Sequence, residues 1–469
     1  MRPKISFTLL LSVLLCTTQL YNLPRATADP ISVDIPALGH VTSTVLQNGL
    51  QVLTTPSTAA DLVTIDVWAA AGTRRETKED NGVAHFMEHL MFKGTLKRKA
   101  GDIDADVEDL GGTLNASTSY DWAHFYLTVS SEDSDAAMEI LSDAIRNSQL
   151  RQEDMDSERP VILNEMARLE SSPTEELTTV FNAMAFPCHP YGRPLLGSPE
   201  IVANVSRAEV LKFYHTYYVP SNIAVVLSGN ISNADGVALV QKYFGDWTGP
   251  KAPPDDVHSE TFPAGIHSAT LPSDDPSAYV LVGFGAPSVK DQPDAYVMDV
   301  LLTLLGQGGN NLLQQHLVRR DKLATAITAN YLTQKNNGTL TITATCGPGY
   351  VDQVREGILA EIRSLQDQPV SASELESAKH ALLASYLFDA QTTSGRADAL
   401  GFYNTIDSFI YDVDYIRNFE GVSAAQIQGV AKRYLNLGSY ILVTKLPSPE
   451  PITASLPTHT RCESVMSLK

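Results

Sequence analysis

The sequence predicts an α+β fold made of two homologous domains, each with helices packed on a mixed or antiparallel sheet. Strand-like runs alternate with amphipathic helical stretches along the chain. A segment near the middle, 248–265, is rich in proline and lacks apolar periodicity, which indicates a linker. The segments Asp154–Glu165 and Glu374–Ser385 lie 220 residues apart and share acidic, apolar, basic and serine positions. The chain therefore divides into two comparable halves.

The first half contains the elements of one such domain. Asn48-Gly49 is a typical hairpin turn, and it lies between two strand-like runs within Val41–Thr55. The apolar run Leu62–Ala71 predicts a buried strand, and a helical stretch begins near Asn81. The remaining elements are a strand-like region, an amphipathic helix and a second helix, at Thr113–Val129, Asp135–Asn147 and Val161–Leu169.

The second half repeats this order of elements. Its predicted strand, helix, strand-rich region and two helices lie at Ala278–Gly285, Ala295–Leu305, Leu323–Thr345, Val354–Leu365 and Ala372–Leu387. A chance similarity of two amphipathic helices is the alternative interpretation, but a shared order of elements favours duplication.

The first 28 residues have the features of a signal peptide. Arg2 and Lys4 precede an apolar run, and Ala26-Thr27-Ala28 provides a cleavage site of small residues. We expect cleavage after Ala28 and export to the periplasm or outside the cell. A membrane anchor is the alternative, although the apolar run is short for one. The predicted order is a signal peptide, an N-terminal domain, the linker, a C-terminal domain and a tail, at 1–28, 29–247, 248–265, 266–446 and 447–469.

The composition excludes several functional classes. The chain has 469 residues and a formal net charge of −20. This acidity argues against binding to nucleic acid and against electrostatic docking on anionic lipid. Cys188, Cys346 and Cys462 remain after the leader, so at most one disulfide can form, and we expect the fold not to depend on it. No other stretch approaches transmembrane length, so we expect no membrane span in the mature chain.

The strongest chemical signal is the motif H-x-x-E-H, formed by His85, Glu88 and His89. On a helix, positions i and i+4 share a face, so both imidazoles can bind one metal ion. Glu88 lies on the same side and can accept a proton from water without being a ligand. This is the inverzincin signature, related to the H-E-x-x-H motif of zincins. Two histidines placed by chance are the alternative, but their apolar surroundings make unpartnered polar groups costly.

A catalytic zinc site needs a third protein ligand. Spacing makes Glu165 one candidate among many acids, because most helical glutamates simply face solvent. Glu158 precedes Glu165 by seven residues, or two helical turns, and could support a ligand from behind. Pro160 leaves two alternatives open: a helix that begins near Ser157 tolerates it, whereas an earlier start predicts a kink.

The chain resembles the pitrilysin and mitochondrial processing peptidase family of zinc peptidases, as a half-length, exported member of the bacterial type. In that family a ligating glutamate follows the second histidine by about 76 residues, and Glu165 stands there. Glu158 matches a further family glutamate. Other matching runs are Phe92-Lys93-Gly94-Thr95, Asn115-Ala116-Ser117-Thr118, His189-Pro190-Tyr191-Gly192 and Tyr217-Tyr218-Val219-Pro220.

The resemblance implies a zinc metalloendopeptidase that hydrolyses extended or unfolded peptides, in a chain forming half of a clam-shell chamber. One Zn²⁺ per chain would be held by His85, His89 and Glu165, with Glu88 as the general base and Glu158 in support. A metal-binding or scaffold subunit without its own cleavage activity is the alternative function.

The resemblance also implies where the peptide lies. Phe92 would line the pocket for the residue after the cut, although a core aromatic is the alternative interpretation. Asn115 and Ala116 would belong to the edge strand that binds the substrate by backbone hydrogen bonds.

The second half lacks the metal-binding residues. At the offset of 220, Ser385 and Ala378 replace the two glutamates, and 301–311 has no ligand where H-x-x-E-H would stand. Many relatives carry an Arg and, seven residues on, a Tyr that reach the substrate, but Val318 and Thr325 occupy those positions here. The resemblance therefore favours a heterodimer with a related, metal-free subunit that supplies the Arg/Tyr pair, over a homodimer.

Overall fold

The structure is a computed structural model, and it describes residues 30–309 and 311–448. The predicted signal peptide, its cleavage site, Cys462 and all but the first two residues of the predicted tail lie outside the described residues. The predicted α+β class is confirmed, since the described chain forms two sheets with helices packed on them.

The first half forms a seven-stranded sheet. Its strands are β1 (Ile31–Ile35), β2 (Gly39–Val45), β3 (Gln51–Pro56), β4 (Leu62–Ala69), β5 (Thr113–Thr118), β6 (Ala123–Ser130) and β7 (Ile223–Gly229). They lie in the order β1-β2-β3-β7-β4-β6-β5. The helices are α1 (Val83–Met91), α2 (Asp102–Asp109), α3 (Ser134–Asn147), α4 (Gln152–Glu170), α5 (Pro173–Ala185), α6 (Pro199–Asn204), α7 (Arg207–Tyr217) and α8 (Asn233–Phe244).

The second half forms a five-stranded sheet. Its strands are β8 (Ile266–Ser273), β9 (Ala278–Ala286), β10 (Ala324–Leu332), β11 (Gly338–Cys346) and β12 (Tyr440–Pro447). They lie in the order β10-β11-β9-β12-β8. The helices are α9 (Asp294–Leu305), α10 (Val351–Asp367), α11 (Ala372–Asp389), α12 (Thr393–Ile406), α13 (Tyr415–Glu420) and α14 (Ala424–Tyr434).

The two sheets repeat one topology. Read from its far edge, β8-β12-β9-β11-β10 follows the same path as β3-β7-β4-β6-β5. In each sheet the first of these pairs is parallel and the other three are antiparallel. An equal strand order with equal strand directions supports the predicted homology of the halves.

Local sequence explains several element boundaries. The predicted hairpin between β2 and β3 turns at Gly49, whose φ of +91° suits glycine, and the Leu50 N–H donates to the Asn48 side chain. Ser371 begins α11 with a capping box, because its hydroxyl accepts from the Glu374 N–H while the Glu374 carboxylate accepts from the Ser371 N–H.

One helix of each half packs on the sheet of the other half. Helix α12 packs on β4 and β7, where the Thr393 and Thr64 hydroxyls are 2.7 Å apart. Helix α5 packs on β9 and β12 of the second sheet. The two helices begin 220 residues apart, so they are equivalent elements that have been exchanged.

A glycine allows each exchanged helix to approach the opposite sheet closely. A Cβ on Gly401 of α12 would lie 2.0 Å from the indole nitrogen of Trp68 in β4. A Cβ on Gly283 of β9 would lie 2.2 Å from the ring of Phe181 in α5. In the first contact the helix provides the glycine and the sheet the aromatic ring, and in the second these roles are reversed.

The segment 248–265, predicted to be a linker, forms neither helix nor strand along its described length. It is nevertheless held against both halves. Asp255 lies 3.0 Å from the Arg74 guanidinium and 2.9 Å from the Lys335 ammonium group, and Glu260 accepts from the His189 N–H at 2.7 Å. These buried and half-buried contacts fix the crossing between the halves.

Candidate metal centre

Helix α1, which carries the H-x-x-E-H motif, begins at a tightly fixed N-terminus. Gly82 has a φ of +110°, and a Cβ there would lie 2.7 Å from the Val202 side chain. The buried carboxylate of Glu76 accepts from the Ala84 N–H at 2.7 Å and from the Gly82 N–H at 3.1 Å. A carboxylate at this position satisfies free amides of the first turn and favours the positive end of the helix dipole. Burial raises the pKa of Glu76 to about 7.

The structure brings His85, His89 and Glu165 together at one point. Their nearest ligand atoms all lie within 4.8 Å of one another. The Glu165 Oε2 atom is 3.7 Å from His85 Nε2 and 3.4 Å from His89 Nε2. Both distances exceed the donor–acceptor distance of an ordinary N–H···O hydrogen bond. They fit ligands around one tetrahedral zinc, because bonds of ~2.1 Å place neighbouring ligand atoms about 3.4 Å apart.

Glu165 reaches this point because α4 runs without a break through Pro160. The helix begins at Gln152, so the earlier of the two possible starts is the observed one. Glu158 and Glu165 nevertheless face the same side, since both carboxylates contact the ring of His89. The two-turn spacing therefore holds across the proline.

Glu158 lies behind His89 and fixes its orientation. Its Oε2 atom is 3.2 Å from His89 Nδ1, and its Oε1 atom is 2.8 Å from the Lys93 ammonium group. A carboxylate on Nδ1 favours the tautomer whose Nε2 lone pair is free for a metal. Lys93 was not predicted for this role, although its position one turn after His89 provided a signal.

The donor set fits zinc, and His85 adds a further indication. Two imidazole nitrogens and one carboxylate are a usual ligand set for catalytic zinc, and they leave one position open. Burial, with a smaller effect of neighbouring His89, lowers the pKa of His85 to about 3, which keeps its imidazole in the neutral form that binds metals. Its Nδ1 atom is buried and has no hydrogen-bond partner among the described residues.

Glu88 lies on the same face of α1 but outside this ligand group. It is half-buried, and burial raises the pKa of its carboxyl. The Thr118 hydroxyl at the end of β5 acts on Glu88 in the opposite direction. A carboxyl group with a raised pKa beside a metal position is suited to accept and return a proton.

Tyr218 is a neighbour of Glu88 for which the sequence predicted no role at the site. It is 3% exposed, and its hydroxyl has no hydrogen-bond partner among the described residues. Burial, and next the charge of Glu88, raise the pKa of Tyr218. The run Tyr217-Tyr218-Val219-Pro220 marked this segment, but no sequence signal placed the hydroxyl near the motif.

The residues predicted to bind the peptide lie next to α1. Phe92 follows the last residue of α1, is half-buried, and packs edge-on against Phe125 with ring centres 5.8 Å apart. Asn115 is exposed on β5 and Ala116 is half-buried. Strand β5 ends the sheet order and pairs only with β6 among the described residues, so its other edge is open.

The equivalent place in the second half has no comparable group. Ser385 and Ala378 lie on α11, the counterpart of α4. Among residues 30–309 and 311–448, the only cluster of three or more metal-binding side chains is the one formed by His85, His89 and Glu165. In the predicted Arg/Tyr region, Arg319 is hydrogen-bonded to the Gly309 carbonyl, and the Tyr331 hydroxyl donates to the Pro287 carbonyl at 2.9 Å.

Comparison with known proteins identifies the family. Residues 51–199 match the family described as insulinase, peptidase family M16, and residues 204–382 match the domain described as peptidase M16 inactive domain. A probable mitochondrial-processing peptidase subunit beta from Arabidopsis thaliana is 30% identical over 405 residues, which cover 84% of this chain and 76% of the relative. The chain belongs to peptidase family M16. The predicted resemblance is therefore confirmed.

Two bacterial M16 relatives match along most of their length. An uncharacterized zinc protease of Mycobacterium leprae is 29% identical, with 87% of this chain and 94% of the relative covered. The crystal structure of a protease from Helicobacter pylori superposes with a TM-score of 0.83 at 26% identity, covering 86% of this chain and 99% of that one. These relatives support zinc and peptidase activity at the level of the family. The description "inactive domain" applies mainly to the second half, whose described residues form no cluster of three metal-binding side chains.

Proposed function

We propose that this chain is a zinc-dependent endopeptidase that hydrolyses extended or unfolded peptides. One observation carries the proposal: His85, His89 and Glu165 converge within 4.8 Å, while Glu88 is near enough to interact with the charges of His89 and Glu165 but is not part of that group. A hydrolytic site needs this division between ligands and a base, whereas a purely structural zinc site uses all its protein groups as ligands.

Each residue has a distinct task in the proposed reaction. Zinc, when bound, supplies a Lewis acid that polarises the scissile carbonyl and lowers the pKa of a water molecule. Glu88 accepts the proton of that water and later returns it to the leaving amine. Glu158 holds His89 in the tautomer that presents Nε2, and Lys93 keeps Glu158 in place.

The open edge of β5 supports the choice of substrate. A peptide can add to this edge by backbone hydrogen bonds near Asn115 and Ala116, which requires an extended, unfolded segment. The half-buried ring of Phe92 lies at the end of α1, where it would contact the side chain just past the cut. Folded proteins cannot present such a strand, so they are poor substrates.

The proposal includes a partner and a location. The chain forms half of a clam-shell chamber, and a related, metal-free subunit closes it and supplies the Arg/Tyr pair. The relative named a subunit beta supports a heterodimer over a homodimer. The acidic composition supports neither nucleic acid nor a membrane as the target, and no described helix is long and apolar enough to cross a bilayer. The leader over 1–28 directs the chain to export.

The substitution Glu88→Gln tests the enzymatic step. We expect the variant to keep one zinc per chain and to lose about 10³-fold in kcat/KM on a quenched peptide, because a general base contributes 10²–10⁴-fold. Zinc content is measured by elemental analysis and cleavage by fluorescence. Glu108→Gln, an exposed change on α2, is the matched control and should retain full activity.

Two results would overturn the proposal. Cleavage by Glu88→Gln at the rate of the unchanged chain would remove Glu88 as the base. A zinc-loaded chain that cleaves no peptide, alone or with any subunit that co-purifies, would favour the alternative of a metal-binding or scaffold subunit.

A further inference from the structure

Cys188 is one of the three cysteines that follow the predicted leader, and it is oxidised. The structure has Cys188 in a disulfide, whereas Cys346 is a buried free thiol. The partner of Cys188 therefore lies outside the described residues, where the sequence has Cys16 and Cys462. Cys16 belongs to the predicted signal peptide, so Cys462 is the cysteine of the exported chain that can form this bond.

Cys188 lies just beyond the C-terminal end of the exchanged helix α5. It follows Ala185, the last residue of α5, by three positions, and it is exposed. The backbone N–H groups of Cys188 and His189 donate to the carboxylate of Glu260 at 3.1 and 2.7 Å. Because this backbone is held in place, a bond to the Cys188 sulfur attaches the partner segment at a defined point beside α5.

Helix α5 runs antiparallel to β12. Near its start, Glu176 forms an ion pair with Lys445. Further along α5, Phe181 lies against Gly283, which pairs with Ile441 near the start of β12. The end of β12 therefore lies beside the beginning of α5, away from the disulfide.

The tail is long enough to return along the whole helix. The Ser448 N–H donates to the Ser273 carbonyl at 3.1 Å, so the described chain continues beside β8 to its last residue. Cys462 follows Ser448 by 14 residues. An extended chain covers ~3.4 Å per residue, or about 48 Å over this distance. Helix α5 has 13 residues and spans only about 20 Å.

We propose that Cys188 and Cys462 form a disulfide that fastens the tail across α5 and holds this exchanged helix on the second sheet. The bond joins residues that lie 274 positions apart, so it restricts the unfolded chain and opposes separation of α5 from the sheet. The inference uses the proposed export, because exported compartments are oxidising, and it does not depend on the proposed peptidase.

The bond forms by thiol–disulfide exchange. The thiolate of one cysteine attacks the disulfide of an oxidoreductase in the exported compartment, forms a mixed disulfide and releases one thiolate of the oxidant. The thiolate of the other cysteine then displaces the second sulfur of the oxidant. The two cysteines together lose two protons and two electrons, and the oxidant leaves as a dithiol.

Peptide mapping of the purified full chain tests the pairing. The chain is equilibrated with glutathione disulfide, which replaces the cellular oxidant and makes the result independent of export. It is then denatured, alkylated with iodoacetamide without reduction, and digested with trypsin. Cleavage after Arg168, Arg207 and Arg461 yields the peptides 169–207 and 462–469. We expect mass spectra to show these peptides joined until dithiothreitol is added.

Three results would overturn the pairing. Alkylation of both Cys188 and Cys462 would show two free thiols. A link from Cys188 to Cys346 or Cys16 would show a different partner. Joined peptides that occur only in covalent dimers on a non-reducing gel would place the bond between two chains.

Hydrogen exchange tests whether the bond holds α5. In Cys462→Ser we expect the amides of α5 to exchange about tenfold faster than in the unchanged oxidised chain, because α5 opens more readily without the link. The amides of α10, which packs with the other face of β9, should exchange at an unchanged rate.

Ser464→Ala is the matched control for this variant, because it alters the same tail and retains Cys462. It should leave the exchange of α5 as it is in the unchanged chain. Equal exchange of α5 in Cys462→Ser and the unchanged oxidised chain would overturn the holding role, even if the two peptides are joined. Cleavage of a quenched peptide by the same samples reports on the peptidase separately.

Discussion

Helices α1 and α9 occupy equivalent places in the two halves and have opposite characters. Helix α9 buries ten of its twelve residues, and nearly all of those are apolar. Helix α1 buries a similar apolar side, but its His85 and His89 side chains face Glu165 of α4. The same sheet topology forms around both helices. The proposed metal ligands are therefore an addition to a scaffold whose packing does not require them.

The second members of the two pairs, α4 and α11, show the same contrast. Helix α4 presents Glu158 and Glu165, whereas α11 has Ala378 and Ser385 at the equivalent positions. The small side chains of Ala378 and Ser385 provide no carboxylate that could bind a metal or orient a ligand. The first half thus carries the proposed metal site, and the second half contributes α12 to the other face of the first sheet.

Among the changes that would remove the difference between the halves, loss of the third ligand should have the largest effect on zinc affinity. We expect Glu165→Gln to weaken zinc binding by more than 100-fold, because an amide oxygen is a much poorer zinc ligand than a carboxylate. Glu158→Gln should weaken it by 10–100-fold, because it acts only through His89. Competition with a chromogenic zinc chelator measures both.

The second half provides the matched control for these variants. Ser385→Glu restores the missing carboxylate on α11 and should add no zinc, because no histidine pair faces it. Unchanged zinc affinity in Glu165→Gln would contradict the assigned ligand set, and a second zinc in Ser385→Glu would contradict the contrast between the halves.

A smaller effect concerns the exchanged helices. Gly401→Ala places a Cβ 2.0 Å from the Trp68 indole nitrogen, so we expect a loss of about 3 kcal/mol in the free energy of unfolding. Gly429→Ala is the matched control, because Gly429 also lies in a helix and a Cβ there meets nothing within 4 Å. This change should be neutral or stabilising by up to about 1 kcal/mol. Urea unfolding measures both, and equal stabilities would show that the α12 contact is not tight.

The smallest expected effect concerns the pH dependence of stability, which depends on a buried acid that differs between the two halves. In the first half Asp121 is bonded to Arg74 and Tyr191, whereas Asp412 in the second half has no such partner among the described residues. Burial raises the pKa of Asp412 from 3.8 to about 7. The folded chain then binds this proton more tightly than the unfolded chain, so stability contributed by Asp412 falls as pH rises from about 4 to 7.

Asp412→Asn removes this dependence. We expect the variant to be more stable than the unchanged chain by about 2 kcal/mol at pH 8 and to have no advantage at pH 4. Thermal unfolding at both pH values measures the difference, with Asp414→Asn, a partly exposed change, as the control. An advantage that is equal at both pH values would show that the effect does not come from ionisation.

Sequence predicted the parts of this molecule that depend on local spacing. The i, i+4 rule placed His85 and His89 on one helix face, and Asn48-Gly49 marked the hairpin. Glu165 needed the family resemblance, because nothing local distinguishes it from other helical acids. Tyr218 comes near the motif only through tertiary packing, and nothing in the sequence marked Glu76 as the carboxylate that holds the first turn of α1.

The helix exchange was also outside the reach of sequence patterns. Periodicity shows that α5 and α12 have a buried side, but it does not show which sheet covers that side. Nothing in the sequence marks Gly401 and Gly283 as contact sites, and only the structure places Trp68 and Phe181 against them.

The exchange has a mechanical consequence. The two halves contact each other at two places, because a helix of each half packs on the sheet of the other. Swinging them apart would pull Trp68 and Phe181 out of their contacts, at several kcal/mol for each ring at ~25 cal/mol per Å² of exposed apolar surface. The exchange therefore opposes a hinge motion at the middle of the chain. In the proposed peptidase, we therefore expect the opening through which a peptide enters to lie where this chain meets its partner subunit.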